Sequence, residues 1–307
     1  MLSLSPEILS AQKKPAEIGI ISDNDLYTSS VYDKYYTNGL EFFYRYLSQN
    51  SNEKIQKKIT EFRFGQYVYN PQTRNADDVN RNDRPFAGYF FVEAGRNLFY
   101  KSEDVLKTNL QLGYLGPNAF GEETQRAFHD IFGYKRVYGW QNQIKNALAI
   151  QANMVYSKKM LSAISCSSVD FHALSEVNVG TIWNGATVGV LARIALKKLQ
   201  PIYDSNLHGA AINSEANAYR NQSEFYFYIN PNLNYQFYDA TIQGSMFNDN
   251  SPVTYDLVPF RFQGEAGFKF RKNHWNLSYS FLYRGKEIDN RANKNYFYGS
   301  IVLGYLM

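Results

Sequence analysis

Gln125 and His129 stand four residues apart in the stretch 121–133, one of few in this 307-residue chain that reads as a helix. Glu122 and Glu123 occupy the end where a helix favours negative charge, and Gly133 sits where helices stop. At that spacing both polar side chains project from one face. Phe128, Ile131 and Phe132 form an apolar stripe beside it. Histidine is the commonest general base near neutral pH, and proton abstraction is the role assigned to His129. The other three histidines are weaker candidates. His172 falls in a strand pattern, His208 in a long polar segment, and His274 beside a hairpin turn.

No nucleophile elbow, zinc-binding His-Glu-x-x-His, calcium-binding helix-loop-helix or phosphate-binding glycine loop is present. A hydrolase with one histidine and no serine nucleophile would most simply activate a water. It would then need an electrophile for the oxyanion, and Ca²⁺ held by oxygen ligands is the natural choice. Asp23, Asn24 and Asp25 offer such oxygens at the end of the first strand pattern. An ordinary polar turn accounts for the same triplet.

Nearly everything outside the helix alternates with period two. Leu40, Phe42 and Tyr44 oppose Glu41, Phe43 and Arg45. Phe62, Phe64 and Val68 oppose Glu61, Arg63 and Gly65. Phe225, Phe227, Ile229, Leu233, Tyr235 and Phe237 share one side of a strand that runs through Pro231. A further strand is expected over 256–271. Aromatic residues make up 17% of the chain, yet mean hydropathy is −0.45 and no apolar run could form a membrane helix. Charged residues opposite an apolar belt suit a wet lumen inside lipid-facing strands. The fold class is therefore all-β: a single transmembrane antiparallel barrel, with a short helix in an extracellular loop. One strand precedes Asn24, four lie between Tyr35 and Leu115, and seven follow Ala147. Twelve is an even number, as single-chain outer-membrane barrels have. The barrel domain is expected over 16–307, with a residual leader over 1–15. The segments 70–83, 116–146, 199–222 and 244–255 are expected as extracellular loops, and Lys272-Asn273 as a periplasmic turn. The chain carries one cysteine, so it has no intramolecular disulfide. A formal charge of +4 gives no basis for nucleic-acid binding.

Several blocks carry a resemblance. Asn24-Asp25 is followed by Asp33-Lys34-Tyr35-Tyr36-Thr37-Asn38-Gly39, then Asn82-Asp83-Arg84-Pro85-Phe86-Ala87-Gly88. Gly116-Pro117, Gly121-Glu122, Gln125, His129, and Gly139-Trp140 with Gln143 follow in order. This series resembles the outer-membrane lipid A 3-O-deacylase family, most densely over 17–160. The resemblance implies hydrolysis of the ester-linked 3-position acyloxyacyl chain of lipopolysaccharide, with Ca²⁺ required. His129 matches the family's general base, and Asn24 and Asp25 its essential pair, with Asp25 the preferred calcium ligand. Thr37 matches an essential threonine and Gln125 a polar helix position. Arg126 stands where some relatives carry Asn, and Lys135 where some carry Glu. Arg84 could meet lipid A phosphates or serve as a wall ion-pair partner. The partners expected are lipid A and the outer-membrane lipid around a monomer. The alternatives are an outer-membrane phospholipase A and a porin or adhesin barrel.

Overall fold

In the computed structural model the described residues are 14–28, 34–72, 76–160, 168–214, 219, 221–248 and 250–307. The leader expected over 1–15 lies outside them except for Lys14 and Pro15, as do Asp33 and Cys166. Twelve antiparallel strands close on themselves, each pairing with its sequence neighbours and β1 with β12. They are β1 (Ala16–Asn24), β2 (Tyr35–Ser48), β3 (Ile55–Asn70), β4 (Ala87–Tyr100), β5 (Val105–Leu115) and β6 (Ala147–Lys159). The second half adds β7 (Val169–Gly180), β8 (Trp183–Ala195), β9 (Ser223–Asp239), β10 (Phe260–Lys272), β11 (Trp275–Arg284) and β12 (Tyr296–Leu306). Pro231 lies inside β9, as its phase predicts. β10 begins only at Phe260. Leu257 instead bridges Ile288 across the loop, so the alternation at 256–259 does not continue the strand.

The pleat decides what faces lipid. Leu40, Phe42, Phe62, Phe64, Val92, Leu110 and Leu112 are exposed on the outer wall. Their neighbours along each strand point inward and include charged, amide and aromatic side chains and glycines. Arg63 bonds the carboxylates of Glu41 (3.1 Å) and Glu61 and lies 3.5 Å from Glu93. Unpaired charges would be costly in this enclosed space, and mutual pairing removes most of that cost.

One end carries five of the six longest connections, 25–34, 71–86, 116–146, 240–259 and 285–295, and is the extracellular end by that criterion. The expectation for 199–222 fails. Strand order puts 196–222 at the opposite, periplasmic end, beside the turn at Lys272-Asn273, where Asn273 N donates to Gln222 O. This segment folds back into the lumen. Its Ile202, Ala210 and Ile212 pack against Ile59, Phe99 and Val105 of the wall. Lys57 Nζ reaches both Asp204 (2.8 Å) and the carbonyl of Ala210 (2.9 Å). Polar composition fits a solvated loop; several of its polar groups bond instead to the barrel wall.

Candidate active site on the outer wall

The expected helix is present as α1 (Gly121–Phe132) and ends at Gly133 in the left-handed conformation, φ 71°. It lies against the outside of the barrel. On β3, Tyr67 and Tyr69 line the lumen, so Gln66, Val68 and Asn70 continue the outward face of Phe62 and Phe64. Gln66 donates to the carbonyl of Ala119 at the helix entry. On β4, outward-facing Gly88 touches the start of α1: a Cβ there would lie 3.1 Å from Gly121 Cα. Val68, Phe86 and Trp140 fill the space beneath, with the Phe86 and Trp140 rings 4.8 Å apart.

The face of α1 that meets the wall is polar. Gln125 and His129 are buried, whereas Ile131 is 76% exposed; the Phe132 side chain lies outside the described residues. Helical periodicity located the stripe but not its destination. Phe120, Tyr134 and Tyr138 are also exposed, so this segment adds apolar side chains to the outer-leaflet end of the wall.

His129 Nδ1 lies 2.6 Å from the carbonyl oxygen of Lys135. A carbonyl can only accept, so Nδ1 carries the proton and Nε2 of the neutral ring is left as the basic nitrogen. The Tyr134 ring stands edge-on to the imidazole. A cavity of about 250 Å³ opens beside His129, bounded by Gln125, Val137, Tyr138 and Trp140. At its edge Arg136 bonds Asp130 at 3.2 and 3.1 Å. Those bonds hold the guanidinium above its ordinary pKa.

Gln125 connects the helix to the wall. Its Oε1 accepts from Trp140 Nε1 (2.7 Å), and its Nε2 donates to Asn70 Oδ1 (3.1 Å). The same oxygen of Asn70 accepts from Thr37 Oγ1 at 2.7 Å. Thr37 can reach it because β2 carries a bulge between Tyr36 and Asn38, which turns the extra residue out of the ladder. Next to it, Asn38 Oδ1 accepts from Asn24 Nδ2 (2.6 Å), and Asn24 continues the outward register of Ile18 on β1. Asn24 also caps a 3-10 turn (Asp25–Tyr27), its Oδ1 accepting from Leu26 N. Asp25 is buried, with Oδ2 accepting from Lys34 N at 2.9 Å.

Thr37 and Gln125 therefore meet through Asn70, whereas Asn24 bonds Asn38, the residue after Thr37 in β2. Asn24 and Asp25 supply amide and carboxylate oxygens, donors of the kind Ca²⁺ takes. No group of three or more His, Cys, Asp or Glu side chains that could hold a metal exists among the described residues. Arg84 is not brought to the helix pocket. It is 1% exposed, donates to Thr241 Oγ1 (2.8 Å), stacks on inward-facing Tyr69 and lines the lumen mouth. Asn70 was not singled out from sequence. Its signal was the outward face of β3, which turns polar at Gln66 and Asn70 where lipid-facing residues were due.

The family model for "Outer membrane protein LpxR" matches residues 1–307. The chain belongs to this family. It is an outer-membrane protein, in keeping with its closed twelve-stranded barrel. Among solved structures it resembles LpxR from Salmonella typhimurium, with a TM-score of 0.75 at 17% identity, covering 94% of this chain and 99% of that one. A second match is the β domain of the Bordetella autotransporter BrkA, TM-score 0.47 at 9% identity, covering 95% and 98%. A search of curated proteins found no match. An outer-membrane location means that the outer face of the barrel wall meets lipid.

Proposed function

We propose that the protein is a Ca²⁺-dependent lipid A deacylase, hydrolysing the ester-linked acyloxyacyl chain at the 3-position of lipopolysaccharide. Family membership supports the lipid A substrate. The observation that carries the chemistry is His129, buried on a wall-facing helix with Nδ1 committed to the Lys135 carbonyl. In the neutral ring Nε2 is then the nitrogen that can accept a proton. It takes a proton from water as the water oxygen attacks the ester carbonyl, giving a tetrahedral oxyanion and an imidazolium. Collapse breaks the carbon–oxygen bond to the sugar; the leaving 3-oxygen takes the proton back from His129. One water is consumed, and a carboxylic acid and a 3-hydroxyl are formed.

Asn24 and Asp25 would hold Ca²⁺, which when bound supplies a positive charge for the oxyanion. Thr37 and Gln125 orient the reacting groups through the wall network. Every one of these residues belongs to one barrel, so a monomer suffices. The helix stands outside the lumen, where an acyl chain in the outer leaflet can reach it without leaving the lipid.

The test is mass spectrometry of lipid A after incubation with detergent-solubilised protein, with Ca²⁺ and with a chelator. Loss of one acyloxyacyl unit only with Ca²⁺ is the expected result. Cleavage of phospholipid with lipid A untouched would replace the reading by a phospholipase. No cleavage of either by folded barrel would return it to a pore, to be measured by conductance.

A further inference from the structure

We infer that Asn70 is a positioning residue that sets the hydrogen-bond polarity of Thr37, so that Thr37 enters the site as an acceptor. The inference rests on the hydrolase reading for its kinetic consequences, while its structural half stands alone. An indole N–H can only donate. Trp140 Nε1 donates to Gln125, so the oxygen of Gln125 must face Trp140 and its amide nitrogen must face Asn70. That nitrogen has only hydrogens to offer, so Asn70 must present its oxygen. The other end agrees: Asn70 Nδ2 donates to the carbonyl of Pro71 at 3.1 Å. Flipping the Asn70 amide would set donor against donor at Gln125 and oxygen against oxygen at Pro71, so the network fixes its orientation.

Thr37 closes the series. Its hydroxyl has one hydrogen, and the Asn70 oxygen at 2.7 Å takes it in preference to the Val68 carbonyl at 3.4 Å. The lone pairs of Thr37 Oγ1 are then what it offers to any further partner. All four residues are nearly inaccessible: Asn70 and Thr37 are 1% exposed, Gln125 and Trp140 2%. Solvent therefore cannot substitute for a missing member. Without the Asn70 acceptor the hydroxyl would be left to turn its hydrogen to the Val68 carbonyl at 3.4 Å or elsewhere. The relay removes that alternative.

The experiment pairs kinetics with the indole resonance of Trp140 in isotope-labelled protein. The chain has only three tryptophans, so Trp140→Phe assigns the signal. Asn70→Leu removes the oxygen. It is expected to shift the Trp140 indole resonance and lower kcat by about 10–100-fold, with KM within about twofold, as for a group that acts on the transition state. Asn70→Asp keeps an acceptor for both donors and is expected to recover most of both changes. Gln125→Leu combined with Asn70→Leu should be no slower than the worse single variant, because the two act as one unit. Should Asn70→Leu not reach the folded form, Asn70→Asp and Gln125→Leu carry the same comparison.

An unshifted indole with unchanged kcat in Asn70→Leu overturns the inference, as does equal damage from Leu and Asp. If wild-type protein proves inactive on lipid A, the hydrolase reading fails instead. The indole shift then still decides whether Asn70 organises the relay.

Discussion

Two long irregular segments leave this barrel, and they settle on opposite sides of its wall. Segment 116–146, at the extracellular end, folds against the outside and buries a polar face. Segment 196–222, at the periplasmic end, turns into the lumen and buries Ile202, Ala210 and Ile212 against wall residues. The outer segment keeps Phe120, Ile131, Tyr134 and Tyr138 exposed where lipid begins. The inner one is tied down by Lys57, by Arg271 donating to the Asp204 carbonyl (3.2 Å) and by Glu103 accepting from Ile202 N (3.1 Å). Histidines divide the same way. His129 is at the outer segment, while His172, His208 and His274 all lie toward the periplasmic end, where His274 serves the Leu306 carbonyl at 2.7 Å. The contrast separates a segment held on the outer face from one, the plug, tied to the inner wall.

The sharpest way to break the contrast is to remove chemistry from the outer segment and from the turn after β1. His129→Ala and Asp25→Ala are each expected to lower lipid A hydrolysis by about 10³-fold while heat-modifiable gel migration stays unchanged. If His129→Ala lost the folded form, the outer segment would be as structural as the plug. Thr37→Ala should cost about 10²-fold in kcat with KM little changed, since the group acts on the transition state; Thr37→Ser, which keeps the oxygen, should retain most activity.

Lys57→Ala reverses the pattern. Loss of its bonds to Asp204 and Ala210 is expected to lower stability by about 1–3 kcal/mol, seen as unfolding at lower temperature, with turnover per folded molecule within about twofold. A turnover loss as large as that of Thr37→Ala would mean the plug serves the site. Smaller still, Ile131→Asp should raise the apparent KM on lipid vesicles by about 3-fold, the cost of taking one exposed apolar contact out of lipid. Substrate dispersed in detergent should be hydrolysed as before; an equal loss there would place Ile131 in the chemistry. His208→Ala should leave hydrolysis unchanged in both assays.

Much of this molecule was legible in its residues. Period-two alternation with charged residues opposite aromatic ones yields twelve strands, because each strand must satisfy lipid on one face and a polar lumen on the other. The helix ends follow from Glu122, Glu123 and Gly133, and the pairing of Gln125 with His129 from their four-residue spacing. Alternation cannot report which side of the wall a connecting segment chooses. The polar composition of 196–222 fits water and a charged lumen equally, and only pairing with Lys57, Arg193 and Arg271 distinguishes them. Likewise, a polar helix face is normally read as solvated; here it is buried because β3 presents Asn70 and a bulge in β2 presents Thr37 at the same height. Those contacts join residues far apart in the chain, and their partners are fixed only once the barrel has closed and set the register between strands. The local patterns thus determined the elements and the candidate base, while closure of the wall decided which groups meet on its outer face and which are locked within.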